Sequence, residues 1–250
     1  MKNLNLGYFI FAKEFKSLLV SKLAWSIMGL VQLIISFQFL AFIEKYIEIQ
    51  QLQPQQQALS SNVTDTIIVP LYGAIIITLL LITPILTMRQ ISGEYKNNTM
   101  SLLLSSPVPI AIIIVAKYLA VCCFLYLCVM FLSLMPLSLL WGVAIDLNQL
   151  AAAVLGLLLC LPAFVALGFF LSSLTEHPSI AAISGLGLLL MLWLMNITAQ
   201  SGEFSVLAYF SPIQHLEYFI LGSVQTEHIS FFVLFSVYFL SLSINKLTAS

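Results

Sequence analysis

Runs of about 20 apolar residues, separated by short polar stretches, dominate this chain, and a run of that length is what a helix needs to cross a bilayer. Six are read, at Leu23–Ile43, Ile67–Met88, Ala111–Leu134, Leu150–Leu171, Ile180–Thr198 and Ile229–Ile244. The last is the shortest, which tilted neighbours or a locally thinned bilayer would accommodate. All are continuously apolar, whereas barrel strands alternate polar and apolar positions, so helices are predicted. The first run opens after Lys22 with no small-residue cleavage site behind it, and it reads as a span rather than a cleavable signal.

Three segments outside the runs have patterns of their own. Over residues 4–19, Leu4, Tyr8, Phe11, Phe15 and Leu18 recur at helical spacing, with Lys13, Glu14 and Lys16 off the stripe. An amphipathic helix lying in the membrane interface is expected there. The first outer loop carries Gln50, Gln51, Gln53, Pro54, Gln55, Gln56 and Gln57, a polar tract with little apolar surface to bury. Residues 199–228 are apolar through Ile213, Leu216, Phe219, Ile220 and their neighbours, yet Pro212 and Gly222 cut them into pieces too short to span. A re-entrant outer segment of short helices before the last span is expected. The alternative is a seventh span through residues 204–222, which would place His215 and Glu217 in hydrocarbon.

Composition sharpens this to an all-α integral membrane protein with six transmembrane helices. Charged residues are 8% of 250, against roughly 25% in a soluble domain. A net charge of −1 with a single Arg lacks the basic stripe of a nucleic-acid binder. Six spans put both termini on one side. Lys2, Lys13, Lys16, Lys22, Arg89, Lys96, Lys117 and Lys246 then share that side and Lys45 stands alone opposite, so both termini are expected in the cytoplasm. Cys122, Cys123, Cys128 and Cys160 all fall inside apolar runs, as small core residues do, without disulfide-loop placement or zinc spacing.

Chemistry-bearing residues are scarce where a pathway or active site would need them. Lys117 is the one charged residue clearly inside a predicted span, near its cytoplasmic start, where it can snorkel to the interface as an anchor. Ion-coupled transporters usually hold charged groups at membrane depth, so a secondary transporter is disfavoured. No lysine follows a glycine, so the chain lacks a Walker A loop and any ATP hydrolysis falls to another subunit. His215-Leu216-Glu217 lacks the three- or four-residue spacing that would put zinc ligands on one helix face. No catalytic, cofactor-binding or metal-binding residue is expected.

The informative segment is Thr87–Pro109, TMRQISGEYKNNTMSLLLSSPVP. It gathers Arg89, Glu94 and Lys96 where the second span leaves the membrane, then turns apolar through Met100, Leu102, Leu103 and Leu104 until Pro107 ends the helix. A charged turn followed by a short apolar helix either lies on the membrane or presents a docking surface to a soluble partner.

This stretch resembles the second-to-third-span loop of ABC-2 type transporter permeases, whose pattern runs roughly M-R-x-(F/I)-x-x-E-x-x-x-x-T-x-x-L-L-L-(T/S)-x-P-(V/I), with a lysine opening the next span. Met88, Arg89, Ile91, Glu94, Thr99, Leu102, Leu103, Leu104, Ser105, Pro107, Val108 and Lys117 stand in the matching places. The subgroup it most resembles is the gliding-motility-type permease, with the copper/nitrous-oxide-reductase maturation permease as a neighbour. Gly93 departs from the pattern, because these permeases often carry a second acid before the matching Glu.

The resemblance covers nearly the whole chain and implies one transmembrane domain over residues 1–250, with an interfacial helix at 4–19, a cytoplasmic coupling loop at 89–109 and an outer re-entrant segment at 199–228. It implies a multi-pass permease of the inner (cytoplasmic) membrane, paired with a second copy or a sister permease, and coupled to a separate ABC ATP-binding subunit that carries the ATP. Arg89, Glu94, Thr99, Leu102, Leu103, Leu104 and Pro107 would then be the coupling residues. A non-transporting anchor or assembly subunit of a motility or maturation complex is the alternative, and an ATP-independent transporter a third.

Overall fold

The computed structural model describes residues 2–52, 63–100, 108–143, 145–199, 209 and 211–249, and among these all regular structure is helical. Helix α1 (Lys2–Val20) meets α2 (Lys22–Leu52) at Ser21, whose hydroxyl accepts the Ala24 N–H at 3.4 Å as an N-cap. A π-helical turn, Thr64–Ile68, opens α3 (Val69–Thr87), and one helical turn, α4 (Ser92–Lys96), follows. Next come α5 (Ile110–Ser138), α6 (Leu147–Leu174) and α7 (Pro178–Ala199). A short α8 (Pro212–Ile220) precedes α9 (Thr226–Ala249).

Six stretches are long and apolar enough to cross a membrane: Lys22–Gln51, Thr64–Lys96, Ile110–Trp141, Leu147–Leu174, Pro178–Ile197 and Thr226–Thr248. They overlie the six predicted runs. The last is 23 residues long, so the shortness expected of it disappears: Thr226, Glu227 and His228 begin the helix ahead of its apolar part, and Asn245 and Lys246 extend it at the other end.

α6 is the hub, packing against α3, α5, α7, α8 and α9. Its N-cap Asp146 accepts the Asn148 and Gln149 amides at 2.9 and 3.3 Å. Pro162 within α6 lacks an N–H and leaves the Leu158 carbonyl without its helical donor. Tyr126 of α5 supplies one, its hydroxyl donating to that carbonyl at 2.9 Å. Inside a bilayer a backbone group must find a protein partner, and this proline carries its compensation on the next helix. α3, α5 and α6 are mostly buried within the chain, while α2, α7 and α9 show most of their apolar surface outward.

Glycines let two neighbours reach α6. A Cβ on Gly168 would lie 2.2 Å from Thr87 Oγ1 and 2.9 Å from Thr87 Cβ, so the end of α3 rests on bare backbone. A Cβ on Gly156 would lie 2.5 Å from Phe219 Cβ, and α8 sits down there in the same way. These contacts set the two ends of the bundle.

α1 lies along α5. Phe11 and Phe15 stack with centroids 5.8 Å apart, and Phe15 and Leu18 pack on the core, as the stripe predicts. Tyr8, from the same stripe, is exposed and lines an apolar groove of about 580 Å³ between α1 and α5. Among the described residues of 199–228, α8 has nine residues, about 14 Å of helix at 1.5 Å per residue, less than half the hydrocarbon thickness.

Candidate functional site

The loop after α3 folds back on the bundle instead of trailing away from it. α3 ends at Thr87, and the chain crosses 88–91 as a turn. The Met88 and Gln90 amides donate to the Pro84 and Thr87 carbonyls at 2.9 and 3.0 Å, with a gap in the ladder at Ile91 before α4 begins. Ser172 of α6 satisfies that gap: its hydroxyl accepts the Ile91 and Ser92 amides at 3.3 and 3.1 Å and donates to the Met88 carbonyl at 3.1 Å. α4 ends in a Schellman-type turn. The Thr99 amide donates to the Glu94 carbonyl at 3.0 Å and the Asn98 amide to the Tyr95 carbonyl at 3.1 Å, with Asn98 at φ 56°. Asparagine is one of the few residues other than glycine that visits this left-handed region readily.

This turn aims Glu94 inward. Its Oε1 lies 2.6 Å from Lys117 Nζ, and its other oxygen accepts the Thr99 hydroxyl. The same ammonium donates to the Gln90 carbonyl at 3.2 Å and lies 3.6 Å from Glu14 Oε1 on α1. Lys117 is 6% exposed, with Met100, Ile110, Ile113 and Leu247 around the pair. One lysine of α5 thus ties together α1, the loop and its own helix. Removing one partner of a buried, hydrogen-bonded pair strands the other charge, so this cluster fixes the loop's position.

The other charges of the loop face outward. Arg89 and Lys96 are exposed and, with Gly93, Asn97, Pro178 and Ser179, line a polar cleft of about 340 Å³ between α4 and the start of α7. The ion pairs among the described residues are those of Lys117 with Glu94 and Glu14. Gly93, where the resembled permeases often carry an acid, is one of the cleft's lining residues.

Of the residues singled out from sequence, the structure brings Glu94, Thr99 and Lys117 together and leaves Arg89 exposed on the cleft. Leu102, Leu103, Leu104 and Pro107 lie outside the described residues. Lys117 does not point to open interface: its head group is enclosed by carboxylates. Sequence reasoning missed Glu14, set off the apolar stripe of α1. Its position three residues after Phe11 and four before Leu18 was the available signal. It also missed Ser172, one of a serine pair just past the fourth apolar run.

At the opposite end, α8 is fastened by polar contacts of another kind. Asn196 of α7 donates to Glu217 at 2.8 Å, the Ser211 hydroxyl to the Leu192 carbonyl at 3.0 Å, and Gln149 of α6 to the Ile220 carbonyl at 3.1 Å. His215 Nδ1 and His228 Nδ1 are 2.7 Å apart. The Tyr209 hydroxyl donates to Glu227 at 2.9 Å, which raises its pKa.

Six membrane-length helices, a helix laid along α5 and a clamped charged loop at one end define a polytopic membrane protein. The sequence model described as ABC-2 family transporter protein matches residues 8–244. The chain belongs to that family and is a membrane component of a transporter. No curated protein matches it.

Proposed function

We propose that this chain is the permease subunit of an ATP-driven ABC-2 exporter, of the gliding-motility-type subgroup its loop most resembles. Two permeases, identical or sister chains, enclose the pathway in the cytoplasmic membrane with their termini inside. Two separate ATP-binding subunits dock beneath, and hydrolysis takes place on them. The observation that carries this reading is the two-faced loop. Glu94, held by the Thr99 hydroxyl, is locked to Lys117 and, through it, to α1 and α5, while Arg89 and Lys96 stand exposed on the other side.

A loop built this way transmits force. A partner that grips Arg89, Lys96 and the apolar Leu102, Leu103 and Leu104 pulls on a segment fastened to three helices, and closure of the ATPase pair moves α1 and α5 with it. Coupling of this kind needs an element that nucleotide binding biases between two positions. The loop and α1 together are that element.

The test is co-purification. An ATP-binding subunit encoded beside this chain is expected to remain bound through detergent extraction, and Leu103→Asp to abolish that binding with membrane insertion intact. Undiminished capture of the ATPase by the Leu103→Asp chain overturns the docking assignment. A cysteine placed at Gln56 is expected to react with an impermeant thiol reagent from outside the cell; labelling only after lysis overturns the orientation.

A further inference from the structure

His215 of α8 and His228 at the start of α9 are both almost fully buried, at 2% and 5% exposed, and their Nδ1 atoms are 2.7 Å apart. Their hydrogen-bond partners settle where the protons are. His215 Nε2 lies 2.8 Å from the Tyr209 carbonyl, which only accepts, so this nitrogen carries a hydrogen. A neutral His215 then has a bare Nδ1, and the hydrogen between the rings belongs to His228 Nδ1. His228 Nε2 is left unprotonated, buried and without a partner among the described residues. The separation is a hydrogen-bond distance and too short for a metal ion between the rings. Two zinc–nitrogen bonds of about 2.0 Å at a tetrahedral angle would hold the nitrogens roughly 3.3 Å apart.

The same geometry dictates what a second proton does. If it goes to His215 Nδ1, His228 must become the acceptor and carry its own hydrogen on Nε2. If it goes to His228 directly, it arrives at Nε2. Both routes end with an N–H on His228 Nε2, in a buried site where the described residues offer no acceptor. Burying an unpaired donor is costly, and the remedy is movement of the ring toward water.

The surroundings act in both directions. Burial holds the His215 pKa below its usual range and neighbouring His228 adds to this, while the Tyr209 carbonyl and Glu227 pull the other way. His215 stacks on Phe231 at 3.9 Å and His228 on Tyr218 at 4.4 Å. Glu227 accepts from Tyr209, and Glu217 from Asn196. Of the elements packed on α8, α7 brings no ionisable side chain, α6 brings Cys160, and α3 brings Tyr72. Asp65 accepts from Gln149 at 3.4 Å, and Asp146 is occupied as the N-cap of α6.

We propose that His215 and His228 form a one-proton site at the outer end of the bundle, and that taking up the proton releases α8 from α9. The outer placement rests on the orientation proposed above; the proton site does not. The site makes the outer cap of the permease responsive to acid in the compartment it faces.

The experiment uses the full chain in lipid nanodiscs with ¹⁵N-labelled histidine. At about pH 8 the spectrum is expected to show the Nε2–H tautomer for His215 and the Nδ1–H tautomer for His228. Amide exchange across 212–220, corrected for its intrinsic pH dependence, is expected to speed up roughly tenfold or more between about pH 7.5 and pH 5. The His228→Asn amide can turn either its N–H or its oxygen toward His215 and is expected to cut the response below about twofold. An Nε2–H tautomer for His228, unchanged protection down to pH 5, or a full response in His228→Asn overturns the proposal. The tautomer reading uses the unaltered chain and stands even where the variant fails to fold. In sealed, oriented vesicles, a response to internal acid alone supports the site and overturns the orientation.

Discussion

The two ends of the bundle use one backbone device for opposite chemical purposes. At each, a helix is seated on α6 over a glycine: the end of α3, just ahead of the short α4, rests on Gly168 through Thr87, and the short α8 rests on Gly156 through Phe219. Each short helix closes with the same pair of reverse hydrogen bonds around a left-handed residue, Asn98 after α4 and Gly222 after α8. The chemistry then diverges. The α4 end is held by a buried lysine between two carboxylates and leaves two cations exposed. The α8 end is held by a histidine pair, aromatic stacking and amide-to-carboxylate bonds. A charge clamp resists being pulled loose and suits a segment that transmits force; a clamp built on a histidine pair loses its fit when a proton arrives.

The largest test of that contrast is Lys117→Met. Breaking a buried pair by removing one partner costs about 3–5 kcal/mol. Glu94 keeps 26% of its side-chain surface exposed, so the lower end of that range is expected, as a fall in thermal midpoint of the purified protein. Lys117→Met with Glu94→Gln leaves a single carboxylate, Glu14, near the site and is expected to be more stable than Lys117→Met alone. If the double variant is the less stable, the cluster is not held by charge and the contrast between the ends fails.

Next come the glycines. Alanine at 168 or 156 puts a Cβ within 3 Å of a neighbouring Cβ, and no side-chain rotation moves that atom away. Overpacking of this kind costs about 1–3 kcal/mol. The two losses should differ in reach. Gly156→Ala lifts a nine-residue helix, so faster amide exchange is expected to stay within 212–220. Gly168→Ala moves the end of α3 and the loop it feeds, and faster exchange is expected across α3, α4 and α1. Identical exchange patterns would erase the distinction between a local cap and a force-bearing clamp.

Ser172→Ala is a smaller change confined to the α4 end. It strips the acceptor from the Ile91 and Ser92 amides, while the Met88 carbonyl loses one of its two donors and keeps the Ser92 hydroxyl. Leaving buried backbone groups unpaired costs about 1–3 kcal/mol each when fully enclosed, and about 2 kcal/mol in total is expected after the loop relaxes. Weaker ATPase capture should accompany the lost stability if the loop is the docking element.

The spans were legible because crossing a bilayer demands some twenty apolar residues in a row, a signal that needs no knowledge of the partner helix. The loop was legible as a charged stretch, and Glu94 and Thr99 stood out within it. The engagement of Glu94 with Lys117 was not, because nothing in the spacing of residues 94 and 117 says that the chain doubles back. Glu14 was set aside because charge on an amphipathic helix is ordinarily solvent-facing. The histidine pair was hidden more deeply. His215 and His228 are thirteen residues apart on different helices, and each alone looks like a polar residue at a membrane boundary. Ser172 is one of two adjacent serines at the end of an apolar run, and its value comes from a break after α3 that only the fold reveals.

The finest comparison lies in the two turn residues. Asn98, at φ 56°, pays part of the left-handed strain that Gly222, at φ 84°, avoids. Alanine at 222 would meet Gln149 at 3.5 Å, an ordinary contact, so its cost is backbone strain of about 1–2 kcal/mol. Asn98→Gly relieves strain but gains freedom in the unfolded chain, so the net change expected is a stabilisation of about 0.5 kcal/mol or less. Thermal midpoints should therefore move in opposite directions, down for Gly222→Ala and slightly up for Asn98→Gly. A fall in both would mean that the Asn98 side chain is itself needed at the α4 end. The two ends would then differ in their backbone turns as well as in the charges mounted on them.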